Sequence, residues 1–337
     1  IAERTTFASS VGERGCWTPS NRKCRAFAIF AREGEPYVSR TNVLRRRLKR
    51  LLRDCIGWRV LNLRSVAERV EFWPVASRLE GNLVLWEVAR KYLPDRYLQI
   101  LHLRMPPYMK LIATNEYPRT QVTTRISGGG GQYYGPFRTR GAAEQFEHEL
   151  LDLFQIRRCQ EDLVPSPDHP GCIYGEMNMC LRPCQQVVGI SEYQGEVARV
   201  ADFLRSGGKT LLQSAESARE RLSAELQFED AAREHKRVER ILHVLSLRDE
   251  LAGDIDQLHA VAVTPSLHTG SVALWFVVQG ALLPPQLFSV ALEGQALSMD
   301  RRLKDIAAQL EPIHVSVRDR QVQLAILSRW FYSSWRD

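Results

Sequence analysis

Alternating and helical patterns of apolar residues divide the sequence into four segments, which are residues 1–100, 101–190, 191–252 and 253–337. The first segment is predicted to be a small α/β unit. Apolar runs on both sides of Gly34 predict a β-hairpin, and residues 69–75 predict a further strand. Helical spacing of apolar residues predicts helices over residues 43 to about 55 and over 79–91, where Pro94 ends the second pattern.

The other three segments continue the mixture of strands and helices. Segment 101–190 begins with strand patterns and an amphipathic helix, and it ends in loops rich in Pro and Gly. Segment 191–252 is helical throughout, and its patterns over 210–226 and 227–251 predict an antiparallel helical hairpin. Segment 253–337 predicts strands followed by two helices. The expected fold class is therefore a multidomain α+β protein.

Two glycine-containing motifs do not predict a nucleotide site. The sequence SGGKT has Phe203 where a phosphate-binding loop needs its first glycine, and a helical pattern precedes it instead of a strand. The glycine run at 128–131 lies between two strand patterns, which is typical of a hairpin tip. We therefore expect no nucleotide cofactor.

Charge is concentrated on one predicted helix. The chain has a net charge of +7 and an isoelectric point near 9.1, which suits a polyanionic partner such as double-stranded DNA. The predicted helix after residue 43 has leucines on one face and cations on the other. The candidate phosphate contacts are Arg40, Arg45, Arg46, Lys49 and Arg50, and a merely solvated helix face is the alternative.

The hydropathy of the chain argues against a membrane partner. The longest apolar run, residues 272–278, is much shorter than the roughly 20 residues that a membrane-spanning helix needs. No basic and then apolar leader opens the sequence. The expected location is therefore the cytoplasm.

Four of the seven cysteines lie close together in the sequence, at Cys159, Cys172, Cys180 and Cys184. Clustered cysteines in a cytoplasmic protein bind metal more often than they form disulfides. Structural zinc sites usually draw ligands in pairs two to four residues apart, and only Cys180 and Cys184 have such a spacing. Ligand spacing in iron–sulfur sites is more varied. The residues alone leave three alternatives, which are an iron–sulfur cluster, zinc and buried free thiols.

The central sequence resembles a known family. The run from PRTQVTTRISGGGGQYYGPF to LDLFQIRRC, followed by CIYGEMNMCLRPC, resembles the central region of UvrC, the incision subunit of bacterial nucleotide excision repair. The resemblance extends from about residue 20 to about residue 280. It implies that the four cysteines ligate an iron–sulfur cluster, with a 4Fe–4S cluster favoured and zinc as the alternative.

The helical hairpin resembles the UVR motif, through which UvrC contacts UvrB. Within LQFEDAAREHKRVERI, the resemblance places Phe228, Glu229, Ala231 and Ala232 at the contact with a UvrB-like partner. An aromatic ring beside small residues suits the docking of one helix on another. An ordinary hairpin core is the alternative. The sequence departs from the family at His235 and Lys236, where UvrC usually has Arg-Asp.

The first segment resembles the GIY-YIG nuclease domain, which cuts on the 3′ side of a lesion in UvrC. The resemblance places Tyr37 at the tyrosine that activates water and Arg47 at the catalytic arginine, while Phe27 replaces a tyrosine of the first motif. Leu85 stands at the position of the glutamate that binds Mg²⁺, and a leucine cannot bind that ion. Glu87 and Glu80 lie about 200° and about 140° away around the helix, so neither replaces it easily.

These features predict a UvrC-like DNA repair protein with an inactive nuclease domain. The sequence contains no counterpart of the family's C-terminal RNase H-like nuclease or of its tandem helix-hairpin-helix. Two alternative functions are an active 3′-side endonuclease that uses Tyr37, Arg47 and Mg²⁺, and a redox-sensing nucleic-acid binder built on the cluster.

Overall fold

The computed structural model describes residues 3–6, 25–52, 61, 63–290 and 297–333. It is a mixed α+β fold of antiparallel sheets and helices, as the sequence predicts. None of the helices in these ranges is both long and apolar enough to cross a membrane.

The N-terminal part is a four-stranded antiparallel sheet with three helices. Its strands follow the order β1-β4-β2-β3 across the sheet. The elements are β1 (Glu3–Thr6), β2 (Arg25–Ala31), β3 (Tyr37–Thr41), α1 (Leu44–Leu51), β4 (Ala67–Pro74), α2 (Arg78–Tyr92) and α3 (Tyr97–Leu101). The predicted hairpin is confirmed as β2 paired with β3. Helix α1 ends at Leu51, and the prediction for residues 53–55 lies outside the described residues.

The two faces of this sheet pack against different partners. Phe27 and Ile29 point to one face and pack against α1. Ala26 and Ala28 alternate with them and point to the opposite face, where they pack against α2. The core around α2 continues into the C-terminal part of the chain.

The middle part is a second antiparallel sheet surrounded by helices. Its strands follow the order β6-β5-β7-β8. The elements are β5 (Tyr108–Ile112), β6 (Arg119–Thr123), β7 (Gly131–Gly135), α4 (Arg140–Leu151), the short α5 (Ile173–Glu176), α6 (Ile190–Ser206), α7 (Lys209–Ala224), α8 (Phe228–Ser246) and β8 (Gly253–Asp254). Helices α7 and α8 pack along each other, which confirms the predicted helical hairpin.

The C-terminal part contains a third antiparallel sheet. Its elements are β9 (Ala260–Pro265), β10 (Ser271–Val278), β11 (Ala281–Leu282), β12 (Gln286–Ser289), α9 (Met299–Ala308) and α10 (Val317–Phe331). Strand β10 lies at the centre and pairs with the other three strands. The apolar residues of the sequence PQLFSVAL predict a strand over 285–292. In the structure this strand ends at Ser289, and residues 291–296 lie outside the described residues.

Two contacts cross the predicted segment boundaries. Strand β8 belongs to segment 253–337 but pairs with β7 of the middle sheet. Helix α10 contacts α2 of the N-terminal part. The division into four segments therefore stays a prediction, while the packing joins the parts through shared elements.

Candidate functional site

The predicted catalytic residues Tyr37 and Arg47 are in direct contact. Tyr37 begins β3 and Arg47 lies on α1, and only Asn42 and Val43 separate the two elements. This short connection brings the strand and the helix side by side. The Arg47 Nη2 atom donates a hydrogen bond of 2.7 Å to the Tyr37 hydroxyl. The Nε atom of Arg47 is buried and has no hydrogen-bond partner among the described residues.

Both residues line one cavity of about 560 Å³ at the edge of the N-terminal sheet. Arg40 and Leu85, which the sequence analysis also singled out, line the same cavity. Further polar side chains that were not predicted complete its wall, and they are Asn82, Arg96, Gln99, His102 and Arg329.

The cavity is rich in positive charge. Four arginines line it, and none of the lining residues is an aspartate or a glutamate. Arg96 forms an ion pair with Glu35, which neutralises part of this charge. Arg329 comes from α10 and donates through Nη1 to the carbonyl oxygens of Leu101 and His102, at 3.3 Å each. Such a wall attracts anions and offers no carboxylate ligand for Mg²⁺.

The two glutamates on α2 do not line the cavity. The Glu80 carboxylate accepts a hydrogen bond of 2.7 Å from the amide of Ala76, and the amide of Glu80 donates to Ser77 Oγ at 3.1 Å. This arrangement caps the start of α2. Glu87 is exposed to solvent. The structure therefore places neither carboxylate beside Leu85, which is buried.

The remaining cations of α1 form a second basic surface. Arg45, Arg46, Lys49 and Arg50 are exposed, while the leucines of the same helix are buried. In the part of the chain that the structure describes, no carboxylate forms an ion pair with any of the four. Arg40 is half-buried and donates to the carbonyl oxygen of Arg78 at 3.5 Å. The predicted phosphate contacts thus divide between the helix face and the cavity.

The four cysteines follow α4 in a segment held to the middle part by backbone hydrogen bonds. The amide of Leu181 donates to the carbonyl of Gln155 at 3.0 Å, and the amide of Ser166 donates to the carbonyl of Cys184 at 2.9 Å. Cys180 and Cys184 are buried, Cys159 is half-buried and Cys172 is exposed. All four are free thiols.

The thiols lie near enough to influence one another. Burial, together with the negative charges of the other three thiolates, raises the pKa of the Cys180 thiol to about 11, and a hydrogen bond from the Arg182 amide opposes the rise. Among the described residues, no group of three or more His, Cys, Asp or Glu side chains is placed so that it could hold a metal ion. The donor set of four neighbouring thiols fits zinc or an iron–sulfur cluster in its chemistry.

The tip of the helical hairpin exposes two large apolar side chains. Phe228 is the first residue of α8 and is 64% exposed, and Leu226 in the preceding turn is 72% exposed. Glu229 and Ala232 are also exposed. An open groove beside the tip is lined by Ala231, Ala232 and two other small residues, together with Arg219, Glu220 and His235.

Comparisons with known proteins find relatives of this chain. The family model of the UvrC/Cho excinuclease middle domain matches residues 107–203. The UvrABC system protein C of Lachnospira eligens is 22% identical over 267 residues, which are 78% of this chain and 44% of that protein. Over about three quarters of its length, the chain is therefore similar to UvrC proteins.

A second UvrC relative shows the same extent of similarity. The UvrABC system protein C of Dictyoglomus thermophilum is 24% identical over 257 residues, which are 76% of this chain and 43% of that protein. The chain thus spans less than half the length of these two UvrC proteins. No solved structure matches the chain.

The matched UvrC middle domain contains the four cysteines and the sheet from β5 to β7. The Tyr37 cavity lies outside residues 107–203. The family resemblance predicted that Tyr37, Arg47 and Leu85 lie in one site. It missed Arg329 because no local pattern shows that α10 reaches this cavity. The sequence shows only that Arg329 is a cation on a helix whose inner face is otherwise apolar. That feature alone does not indicate which part of the molecule Arg329 contacts.

Proposed function

We propose that this UvrC-family protein acts in nucleotide excision repair as a DNA-binding protein whose nuclease-like domain does not cut DNA. The cavity that contains Tyr37, Arg47 and Leu85 supports this proposal most directly. It contains Tyr37 and Arg47 in direct contact, and its lining residues include no carboxylate.

The chemistry of hydrolysis explains why the missing carboxylate matters. A metal-dependent nuclease uses a bound divalent ion to polarise the phosphate and to stabilise the leaving oxygen. Without a metal ion, the cavity offers the positive charge of Arg47, which stabilises negative charge, and the hydroxyl group of Tyr37 beside Arg47. The arginines of the cavity would bind a phosphate group, whereas Leu85 provides no ligand for the ion that completes the reaction.

An incision assay with the purified protein tests the inactive nuclease. We expect no nicks in lesion-bearing duplex DNA over a titration of Mg²⁺, with and without UvrA and UvrB. Metal-dependent nicking by the protein alone that is lost in Tyr37→Phe would instead show an active 3′-side endonuclease. In that case Glu87 is the first candidate for a displaced metal ligand.

The hairpin formed by α7 and α8 is proposed to dock on a UvrB-like partner. Exposure of Phe228 and Leu226 at the tip supports this assignment, because large apolar side chains that project together into solvent are typical of interaction sites. The groove beside Ala231 and Ala232 allows a partner helix to approach closely. A calorimetric titration with the C-terminal hairpin of UvrB tests this contact.

The four cysteines are proposed to hold an iron–sulfur cluster, with zinc as the alternative. Cys159, Cys172, Cys180 and Cys184 would supply the ligands, and the bound group would crosslink a loop segment that has little core of its own. We expect anaerobically purified protein to be brown and to contain iron and inorganic sulfide. Colourless protein with one bound zinc ion would contradict the cluster.

A further inference from the structure

Arg157 is a buried cation two residues before Cys159. The residue is only 2% exposed. Its Nε atom donates to the carbonyl oxygen of Tyr117 at 2.9 Å, and Nη1 donates to the carbonyl oxygen of Glu161 at 2.8 Å. Nη1 also donates to Cys159 Sγ at 3.6 Å. The guanidinium is therefore fixed on two sides and directed at one of the four thiols.

The backbone around Arg157 is equally well held. The Arg157 amide donates to the Tyr193 hydroxyl at 2.9 Å, and that hydroxyl donates to the carbonyl of Pro118 at 2.7 Å. Tyr193 belongs to α6 and is fully buried. The Arg157 backbone and the Nε contact to Tyr117 are thus held by residues outside the cysteine loop, while Glu161 within the loop supplies the second side-chain contact.

The charge of Arg157 has no carboxylate partner in the described part of the chain. None of the ion pairs there includes it, and its two carbonyl acceptors are neutral. The next residue, Arg158, is different, because its Nη2 atom is 2.6 Å from the Asp152 carboxylate. A buried cation without a negative partner is strongly unfavourable. Among the described residues, the group that could supply a negative charge to Arg157 is the thiolate of Cys159.

We propose that Arg157 is a positioning residue that balances the charge of the metal-bound cysteines. This inference rests on the proposed metal site. Four thiolates carry more negative charge than a zinc ion or a cuboidal iron–sulfur cluster cancels, so the loaded site keeps a net negative charge. A guanidinium fixed beside Cys159 compensates part of that charge and thereby favours the loaded site.

The test compares zinc affinity in the full chain and its variants, measured by competition with a colorimetric chelator. Arg157→Gln keeps a hydrogen-bonding side chain and removes the charge, and we expect it to lose about tenfold or more in affinity. Arg157→Lys retains the charge and cannot reproduce both carbonyl contacts, and we expect it to stay within about threefold of the unmodified protein. Arg158→Gln is the matched control, because it removes a neighbouring arginine whose charge is already paired, and we expect no more than about a threefold loss.

The outcomes separate this inference from the metal site itself. Zinc binding by the unmodified protein with equal affinity in Arg157→Gln overturns the role of Arg157 and leaves the metal site standing. If Arg157→Lys loses as much zinc affinity as Arg157→Gln, the effect is structural and the role of Arg157 is overturned. The same holds if the control Arg158→Gln loses as much zinc affinity as Arg157→Gln. Absence of zinc binding in the unmodified protein overturns the role of Arg157, and absence of both zinc and iron–sulfur loading overturns the metal site as well. Urea unfolding of the metal-free variants verifies that each is folded.

Discussion

At the scale of single residues, the cysteine segment depends on a glycine that has no room for a side chain. Gly175 lies in α5, between Cys172 and Cys180, and it is buried. A Cβ atom at this position would lie 2.6 Å from Cγ and 2.8 Å from Cδ of Arg182. Arg182 itself has a left-handed backbone conformation, with φ of 54°, just before Pro183. The close contact therefore joins two strongly constrained positions of the loop.

We expect Gly175→Ala to lower the free energy of unfolding by about 1–3 kcal/mol, because the added methyl group must displace the Arg182 stem from a tight position. Urea unfolding followed by circular dichroism measures the change. Gly195→Ala is the control, because Gly195 lies in α6 and a Cβ atom there would meet nothing within 4 Å. That control should be neutral or stabilising by up to about 1 kcal/mol. Equal destabilisation by both substitutions would contradict the steric argument.

At the scale of elements, α1 separates two kinds of contact. Its leucines bury against Phe27 and Ile29, and its exposed cations face solvent. The structure thus confirms the amphipathic pattern, and the assignment of the basic face to DNA stays a prediction. Within the described residues, no carboxylate forms an ion pair with these cations.

We expect Arg46→Glu combined with Arg50→Glu to weaken binding to duplex DNA and to reduce its dependence on salt concentration. Each lost phosphate contact lowers the slope of log affinity against log salt by about 0.9. Fluorescence anisotropy at several salt concentrations measures both quantities. The control is Arg301→Glu combined with Lys304→Glu on α9, where Asp305 and Asp300 already pair with the cations. An equal loss in the control pair would indicate that only the total charge of the protein matters.

The start of α8 is the second element whose surface suggests an interaction. We expect Phe228→Ala to weaken binding to a UvrB C-terminal hairpin by about 2–4 kcal/mol, which is typical of a buried aromatic anchor. The stability of the free protein should change little, because Phe228 is already 64% exposed. Isothermal titration calorimetry measures the affinity.

A control on the same helix distinguishes the tip from general surface apolarity. Leu242 is 47% exposed and lies near the other end of α8. Leu242→Ala should leave the affinity for the UvrB hairpin unchanged. If Phe228→Ala also leaves it unchanged, the hairpin has only a structural role.

Local patterns predicted most of these elements because long helices and alternating strands leave clear periodicity. The helices α4, α6, α7, α8 and α10 all follow predicted segments. The strand β1 and the helix α3 were not predicted, because segments of four and five residues are too short to show a period. Strand β8 was missed for the same reason, since it is a two-residue element defined by its pairing with β7.

The candidate sites were predictable only where sequence neighbours or a family resemblance identified them. The pairing of Tyr37 with Arg47 spans ten positions and follows from a strand joined directly to a helix. Arg329 reaches the same cavity across 228 positions, and no local pattern indicates such a contact. Arg157 is similar, because its burial depends on Tyr117 and on α6, which are distant in sequence.

At the scale of the whole molecule, one hydrophobic core joins the two ends of the chain. It contains Leu79 and Trp86 of α2 together with Trp275 of β10 and Ile326 of α10. The same helix α10 carries Arg329 to the cavity beside Tyr37. The shape of the Tyr37 cavity therefore depends on packing against the C-terminal part.

We expect Ile326→Ala to destabilise the protein by about 2–5 kcal/mol, because Ile326 is 1% exposed and the substitution leaves a cavity in the shared core. The loss should be greatest where α10 contacts α2. Hydrogen exchange measured by mass spectrometry should therefore show faster exchange in α2 than in the unmodified protein, with a smaller change in α4. Binding of DNA should also weaken, because Arg329 lies one helical turn further along α10 and loses its fixed position.

Leu324→Ala is the matched control on the same helix. Leu324 is also 1% exposed, but it packs against Tyr108, Tyr133 and Ile255 of the middle part instead of the shared core. It should cost a similar free energy of unfolding and increase exchange mainly in β5 and β7. Faster exchange in α2 after both substitutions, or after neither, would show that the N-terminal part does not depend specifically on Ile326. Faster exchange in α2 after Ile326→Ala alone would mean that the C-terminal part supports the cavity directly. The comparison is informative because the two substitutions remove side chains of similar size that contact different parts of the molecule.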